Sequence, residues 1–113
     1  MSDQPTVRRF GSVIRLLPEK REQYLALHAE PWEGVLERLR ASHVGNYSIF
    51  LHGDLLFSYF EYSGTDYEAD MAAIAADPVT QEWWKLTDPC QERLPDTPDG
   101  EQWLALPSVF FME

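Results

Sequence analysis

Apolar and polar positions change their period several times along the chain. From Arg8 to Leu17 they alternate loosely, with Phe10, Val13, Ile14, Leu16 and Leu17 supplying apolar weight, and this predicts a first strand. Pro18 then stands where a helix can begin, and Glu19 suits its first turn. From Glu19 to about Ala41 the period is helical. Tyr24, His28, Trp32, Val35, Leu36 and Leu39 fall at three- and four-residue steps and share one face. Pro31 interrupts the run, so the helix kinks or divides just after His28.

Two aromatic and β-branched runs follow, His43 to Leu51 and Leu55 to Tyr62. They are joined by His52, Gly53 and Asp54, which predicts a β-hairpin. Asp66 or Thr65 is placed to cap a helix running to about Ala76, and Asp77-Pro78 breaks it. Thr80 to about Thr87 resumes as a short helix carrying Trp83 and Trp84. Asp88 to Gly100, rich in Pro, Asp and Thr, predicts a loop, and Ser108 to Met112 has the composition of a last strand.

The predicted order β, α, β, β, α, β belongs to the ferredoxin-like α+β class, an antiparallel sheet with helices on one face. A length of 113 residues suits one such domain, expected over residues 8–113 behind a flexible tail at 1–7. A sheet covered on one side leaves its other face bare. Phe50, Phe57, Tyr59, Phe110 and Phe111 are more aromatic surface than so small a domain easily hides. Either two subunits join sheet to sheet or the open surface forms a ligand pocket; a homodimer is expected.

Charge narrows the partners. Nine Lys and Arg against nineteen Asp and Glu give a net charge of −10, with no basic stripe to displace counterions from nucleic acid or to hold an anionic membrane. The imbalance is local: beyond Ala41 only Lys85 and Arg93 oppose thirteen acidic residues. A neutral ligand therefore suits this chain better than an anionic one, although the first consequence of such a charge is solubility. No apolar run is long enough to span a bilayer, and MSDQPTVRRF lacks the apolar core of a secretory signal. Cys90 is the single cysteine, without neighbours at metal-ligand spacing, so a reducing, cytoplasmic setting is expected.

A few residues could carry chemistry. Tyr24 and His28 are spaced i, i+4, which brings a phenol beside an imidazole able to give and take protons near neutrality. That spacing alone is more common in ordinary amphipathic helices. Trp83 and Trp84 are separated by about 100° around a helix, so both indoles cannot enter one core slot. One can pack inward while the other faces a cavity, and indole faces suit the C–H faces of sugars. Tyr47 could place a phenol in the same pocket. His43 and His52 read as solvated residues, Trp32 as a core residue, and Asp96 and Asp99 as turn formers that could also close a pocket. Nucleophile-elbow, P-loop and dinucleotide-binding patterns are missing.

These residues lie within an ordered set of motifs. LLPEKREQYLALHAEPW, with its Y-x3-H-x3-W spacing, is followed by GNYSIFL, QEWWK, LPDTPDG and a terminal SVFF. Taken together they resemble the L-rhamnose mutarotase family over nearly the whole chain, from about Arg9 to Phe111. The resemblance implies a dimeric α+β barrel that interconverts sugar anomers without a metal or an organic cofactor. It makes His28 the proton donor and puts Tyr24, Tyr47, Trp83 and Trp84 at sugar-contacting positions. The family's Asn-Pro after the histidine is here Ala29-Glu30, with the proline at Pro31. The residues also leave open a barrel monooxygenase or decarboxylase acting on an aromatic polyketide, and a non-catalytic sugar-binding module.

Overall fold

The computed structural model describes residues 7–113; the first six, and with them most of the expected tail, lie outside it. The strands are β1 (Arg8–Leu16), β2 (Val44–His52), β3 (Leu55–Tyr62), β4 (Gln91–Glu92) and β5 (Leu104–Leu106). The helices are α1 (Arg21–Ala29), α2 (Glu33–Ala41), α3 (Tyr67–Ala76) and α4 (Pro78–Thr87). The sheet runs in the order β2-β3-β1-β4, with β5 also paired to β1, and all pairings are antiparallel. This is the expected ferredoxin-like arrangement.

Each helical region is divided where the sequence breaks it. Pro31 separates α1 from α2, leaving Glu30 in a non-helical conformation. Asp66 caps α3 by accepting from the Ala69 amide at 3.1 Å. Asp77 caps α4 by accepting from both the amide and the hydroxyl of Thr80, at 2.9 and 2.8 Å. Those two bonds favour the ionised cap and hold its carboxyl below the usual carboxylate range. Gly34 lets α2 approach α4: an added β-carbon there would lie 3.0 Å from the Val79 side chain.

The helix-side face of the sheet carries two apolar clusters. Ile14, Leu16 and Leu56 join Tyr24 and Cys90 in the first, with Ile49, Leu51 and Trp103 against them. Val44, Tyr62 and Ile74 form the second, flanked by Phe10, Leu39, Phe60, Tyr67 and Met71. Between the clusters, in the row Ser12–Ser58–Ile49, the hydroxyls of Ser12 and Ser58 hydrogen-bond to each other.

One extra residue in β2 makes this arrangement possible. Gly45 is opposite Glu61 and Ser48 opposite Tyr59, so three steps on β2 match two on β3. Asn46 adopts a left-handed φ of 46° there, a region asparagine tolerates, and donates to Glu61 at 2.8 Å. The bulge shifts the inward positions from Val44 to Tyr47, Ile49 and Leu51.

The end of the chain departs from expectation. The last strand is Leu104–Leu106, whereas residues 107–113, including Ser108–Met112, form no strand. Apolar composition alone does not make a strand; it needs a partner edge, and β5 reaches β1 before the SVFFM run begins. Val109 and Phe110 are left 94 % and 80 % exposed. Arg93 organises the preceding loop, donating to the carbonyls of Thr97, Pro98 and Glu101 at 2.8–3.0 Å.

Ile14 is fully buried in the first cluster. Ile14→Ala should cost about 2–5 kcal/mol in urea unfolding, combining lost transfer energy with a residual cavity. A loss under 1 kcal/mol would contradict the packing described.

Candidate active site

A cavity of about 460 Å³ opens between the helices and the sheet. Its lining includes His28 from α1, Tyr47 from the β2 bulge, and Thr80, Trp83 and Trp84 from α4. The remainder of the wall is apolar and contains no charged side chain. A shallower groove on α4 shares only Trp84 with this cavity; Gln81, Lys85, Asp88 and Pro89 complete it, and it contains no histidine.

His28 lies near the end of α1, just before the break at Pro31, so the turn that follows does not cover it. Its Nδ1 is 2.9 Å from the Tyr24 carbonyl oxygen. A carbonyl can only accept, so Nδ1 carries the hydrogen and, in the neutral ring, Nε2 keeps its lone pair. The ring stacks on Tyr24, with centroids 4.2 Å apart and planes 27° from parallel. It meets Trp83 edge-on at 5.3 Å. Trp83 in turn meets Trp32 edge-on at 5.2 Å, so the imidazole is set in an aromatic frame.

Tyr24 stands beneath His28 within the first core cluster and is not part of the cavity wall. Burial pushes its phenol up to about 12, against the lowering effect of a hydrogen bond from Gln91. Gln91 donates to the phenol oxygen at 3.2 Å and accepts from Gln102 at 3.3 Å. At neutral pH Tyr24 therefore retains its proton and cannot serve as a base. The sequence gives no sign of either residue: Gln91 lies in the stretch read simply as loop, and Gln102 just beyond its end at Gly100.

Tyr47 packs its ring against Phe60 at 5.6 Å. The residue is 44 % exposed overall, yet burial of its hydroxyl end raises the phenol's pKa. A ring entering the cavity tip-first, with its backbone at the surface, accounts for both. Trp83 is buried while Trp84 is exposed at the rim, so the two indoles divide as adjacent helical positions require. Thr80 donates its hydroxyl hydrogen to Asp77, which leaves the oxygen as an acceptor.

The other candidates lie elsewhere. His43 is paired with Asp70 at 3.1 Å, His52 ends β2, and Asp96 and Asp99 belong to the loop gathered by Arg93. None of the four lines the cavity. Among the described residues, no group of three or more His, Cys, Asp and Glu side chains is placed to hold a metal ion. No described helix is long and apolar enough to cross a membrane.

Residues 9–112 match the family model described as L-rhamnose mutarotase. The chain belongs to the L-rhamnose mutarotase family. Members of this family are isomerases that interconvert the anomers of rhamnose. An L-rhamnose mutarotase of Listeria monocytogenes is 35 % identical over 92 residues, covering 80 % of this chain and 86 % of the relative. That of Oceanobacillus iheyensis is 29 % identical over 109 residues, covering 95 % and 100 %. Among solved structures, the L-rhamnose mutarotase of Formosa agariphila superposes with a TM-score of 0.73 at 23 % identity, over 94 % of this chain and 99 % of that one. The tetracenomycin F2 cyclase of Streptomyces glaucescens, a type-II polyketide cyclase, reaches 0.66 at 18 % identity over 94 % and 96 %. At such identities the two structures report a shared fold. The mutarotase family assignment rests on the sequence matches.

The hydrogen bond to the Tyr24 carbonyl fixes the tautomer of His28. In ¹⁵N NMR at a pH where the ring is neutral, Nδ1 should give the protonated, pyrrole-like shift and Nε2 the pyridine-like one. The opposite pattern would remove Nε2 as the free acceptor.

Proposed function

We propose that this chain interconverts the α and β anomers of L-rhamnose or a similar neutral deoxysugar, with His28 as the group that moves the proton. The observation that carries this reading is the set of His28: Nδ1 is engaged by the Tyr24 carbonyl, while the imidazole borders an uncharged cavity flanked by indoles. Nε2 is then the one ring nitrogen free to exchange protons with a ligand.

Anomer exchange asks little more of a site. The anomeric hydroxyl gives its proton to Nε2, the bond from C1 to the ring oxygen breaks, and C1 becomes an aldehyde carbon. The ring oxygen takes the proton back from Nε2, completing ring opening. Rotation of the aldehyde about the C1–C2 bond and reversal of these steps closes the other anomer. The two oxygens share C1, so one nitrogen can serve both in turn, and the proton count balances without a second acid or base. Tyr24 acts by position: its carbonyl sets the imidazole tautomer and its ring supports the imidazole from below. Tyr47 is suited to donate to a sugar hydroxyl, and Thr80 to accept from one. Trp83 and Trp84 would cover the C–H face and the C5 methyl group.

Equilibrated L-rhamnose with the protein should show saturation transfer between its two anomeric proton signals. His28→Ala should slow the catalysed exchange about 10²–10⁴-fold, the usual contribution of a positioned acid–base group. Absence of transfer by the folded wild type with rhamnose, fucose and related deoxysugars would sink the reading.

A homodimer is part of the same proposal. The sheet face away from the helices carries the row Val13–Phe57–Phe50, and Phe50 is 65 % exposed. Phe111, which lies against the Arg9 guanidinium, and its exposed neighbours Val109, Phe110 and Met112 add apolar surface at the chain end. A second copy would cover such a surface. Light scattering should give twice the chain mass for wild type and a marked shift to monomer for Phe50→Asp; a monomeric wild type would overturn the dimer. The buried thiol of Cys90 fits a cytoplasmic setting, where thiols stay reduced.

A further inference from the structure

We propose that the cavity is built for a reducing sugar that carries a short apolar substituent, such as an O-alkyl or O-acyl group, on a hydroxyl away from the anomeric carbon. This rests on the reading that His28 acts on a reducing sugar, and it concerns the part of the cavity that such chemistry leaves unused. A six-carbon deoxysugar has eleven non-hydrogen atoms and fills roughly 200 Å³ at organic packing density. The cavity is about 460 Å³, part of which is its open mouth between the helices and the sheet.

The character of the excess space is one-sided. The groups able to bond sugar hydroxyls come from α1, α4 and the β2 bulge: His28, Thr80, the two indoles and Tyr47. Beyond Tyr47 the wall continues through Phe60 to Leu39, Val44, Met71 and Ile74. Those five residues belong to the second core cluster, so the cavity penetrates that cluster and stays apolar there. The Tyr62 hydroxyl in that cluster is already occupied. Tyr62 donates to Asp70 at 2.5 Å and accepts from the Asp66 amide at 3.1 Å, while His43 is held by the same Asp70 carboxylate.

This chemistry discriminates among occupants. A second sugar ring would bury hydroxyls with nothing to receive them, and a phosphate or carboxylate would meet no cation. A chain of methylene or acyl carbon meets the aliphatic and aromatic walls of Leu39, Val44, Phe60, Met71 and Ile74, and each buried carbon adds to affinity. The substituent also gives the enzyme a handle remote from the reacting centre, where binding energy can orient the ring against His28.

The test compares bare L-rhamnose with its 2-O-, 3-O- and 4-O-butyl ethers in the same saturation-transfer assay. At least one ether should exceed rhamnose tenfold or more in kcat/KM. Met71→Trp and Ile74→Phe, which fill the apolar end, should each lower the ratio of that ether to rhamnose by tenfold or more. The wild-type series stands even if one variant fails to fold. Exchange of rhamnose with no ether surpassing it would overturn this proposal and leave the mutarotase reading intact. An ether preference that both folded variants preserve would overturn it as well. No exchange of any sugar by the folded protein would defeat the mutarotase reading itself, and consumption of an aromatic polyketide instead would assign the apolar end to a different ligand.

Discussion

A strand alternates its side chains between two faces, and β2 has to break that rule once. Val44 must point toward the helices to close the second core cluster, and Ile49 and Leu51 must do so to complete the first. Even and odd positions of one regular strand cannot share a face. The extra residue between Gly45 and Ser48 resolves the conflict, and it leaves Tyr47 directed into the space between the clusters. The partition of the core, the existence of the cavity and the approach of the phenol all follow from that irregularity.

The chemical end of the cavity depends on backbone as much as on side chains. The imidazole is oriented by a main-chain carbonyl one helical turn earlier, at 2.9 Å, and supported by the ring of the same residue. A single residue, Tyr24, therefore supplies two constraints on His28 without entering the cavity. Gln91 and Gln102 extend that support, the first occupying the phenol oxygen and the second holding the first. The break at Pro31 then keeps α2 from continuing over the imidazole. The position and tautomer of the imidazole are thus fixed by the protein itself, without help from a ligand.

Most of this was legible in the amino-acid sequence because it is local. The Pro31 break, the Asp66 cap, the interruption at Asp77-Pro78 and the hairpin turn all arise from short-range chemistry, and each of these lies within a few residues of its expected place. The i, i+4 pairing of Tyr24 with His28 and the division of Trp83 from Trp84 follow from helical geometry alone. What escaped depends on contacts distant in sequence. The bulge shows only as a change of parity between Val44 and Tyr47 within one strand, beside an asparagine that accepts a left-handed backbone. Gln91 reaches Tyr24 across 67 residues, and no local pattern encodes that. The misplaced last strand has the same origin: SVFFM is a good strand by composition, but Leu104–Leu106 takes the available edge of β1.

The Arg93 clasp has a consequence for the far end of the chain. A strand of three residues is too short to fix its own register, and bringing it to β1 after a long excursion carries an entropic cost of loop closure. By gathering three carbonyls from residues 97–101, Arg93 shortens the free span before β5 and removes much of the disorder that pairing would otherwise have to overcome. The path of residues 107–113 starts from β5, so the placement of Phe111 against the Arg9 guanidinium is decided upstream of it. A polar surface side chain thus bears on where the last apolar residues of the chain come to lie.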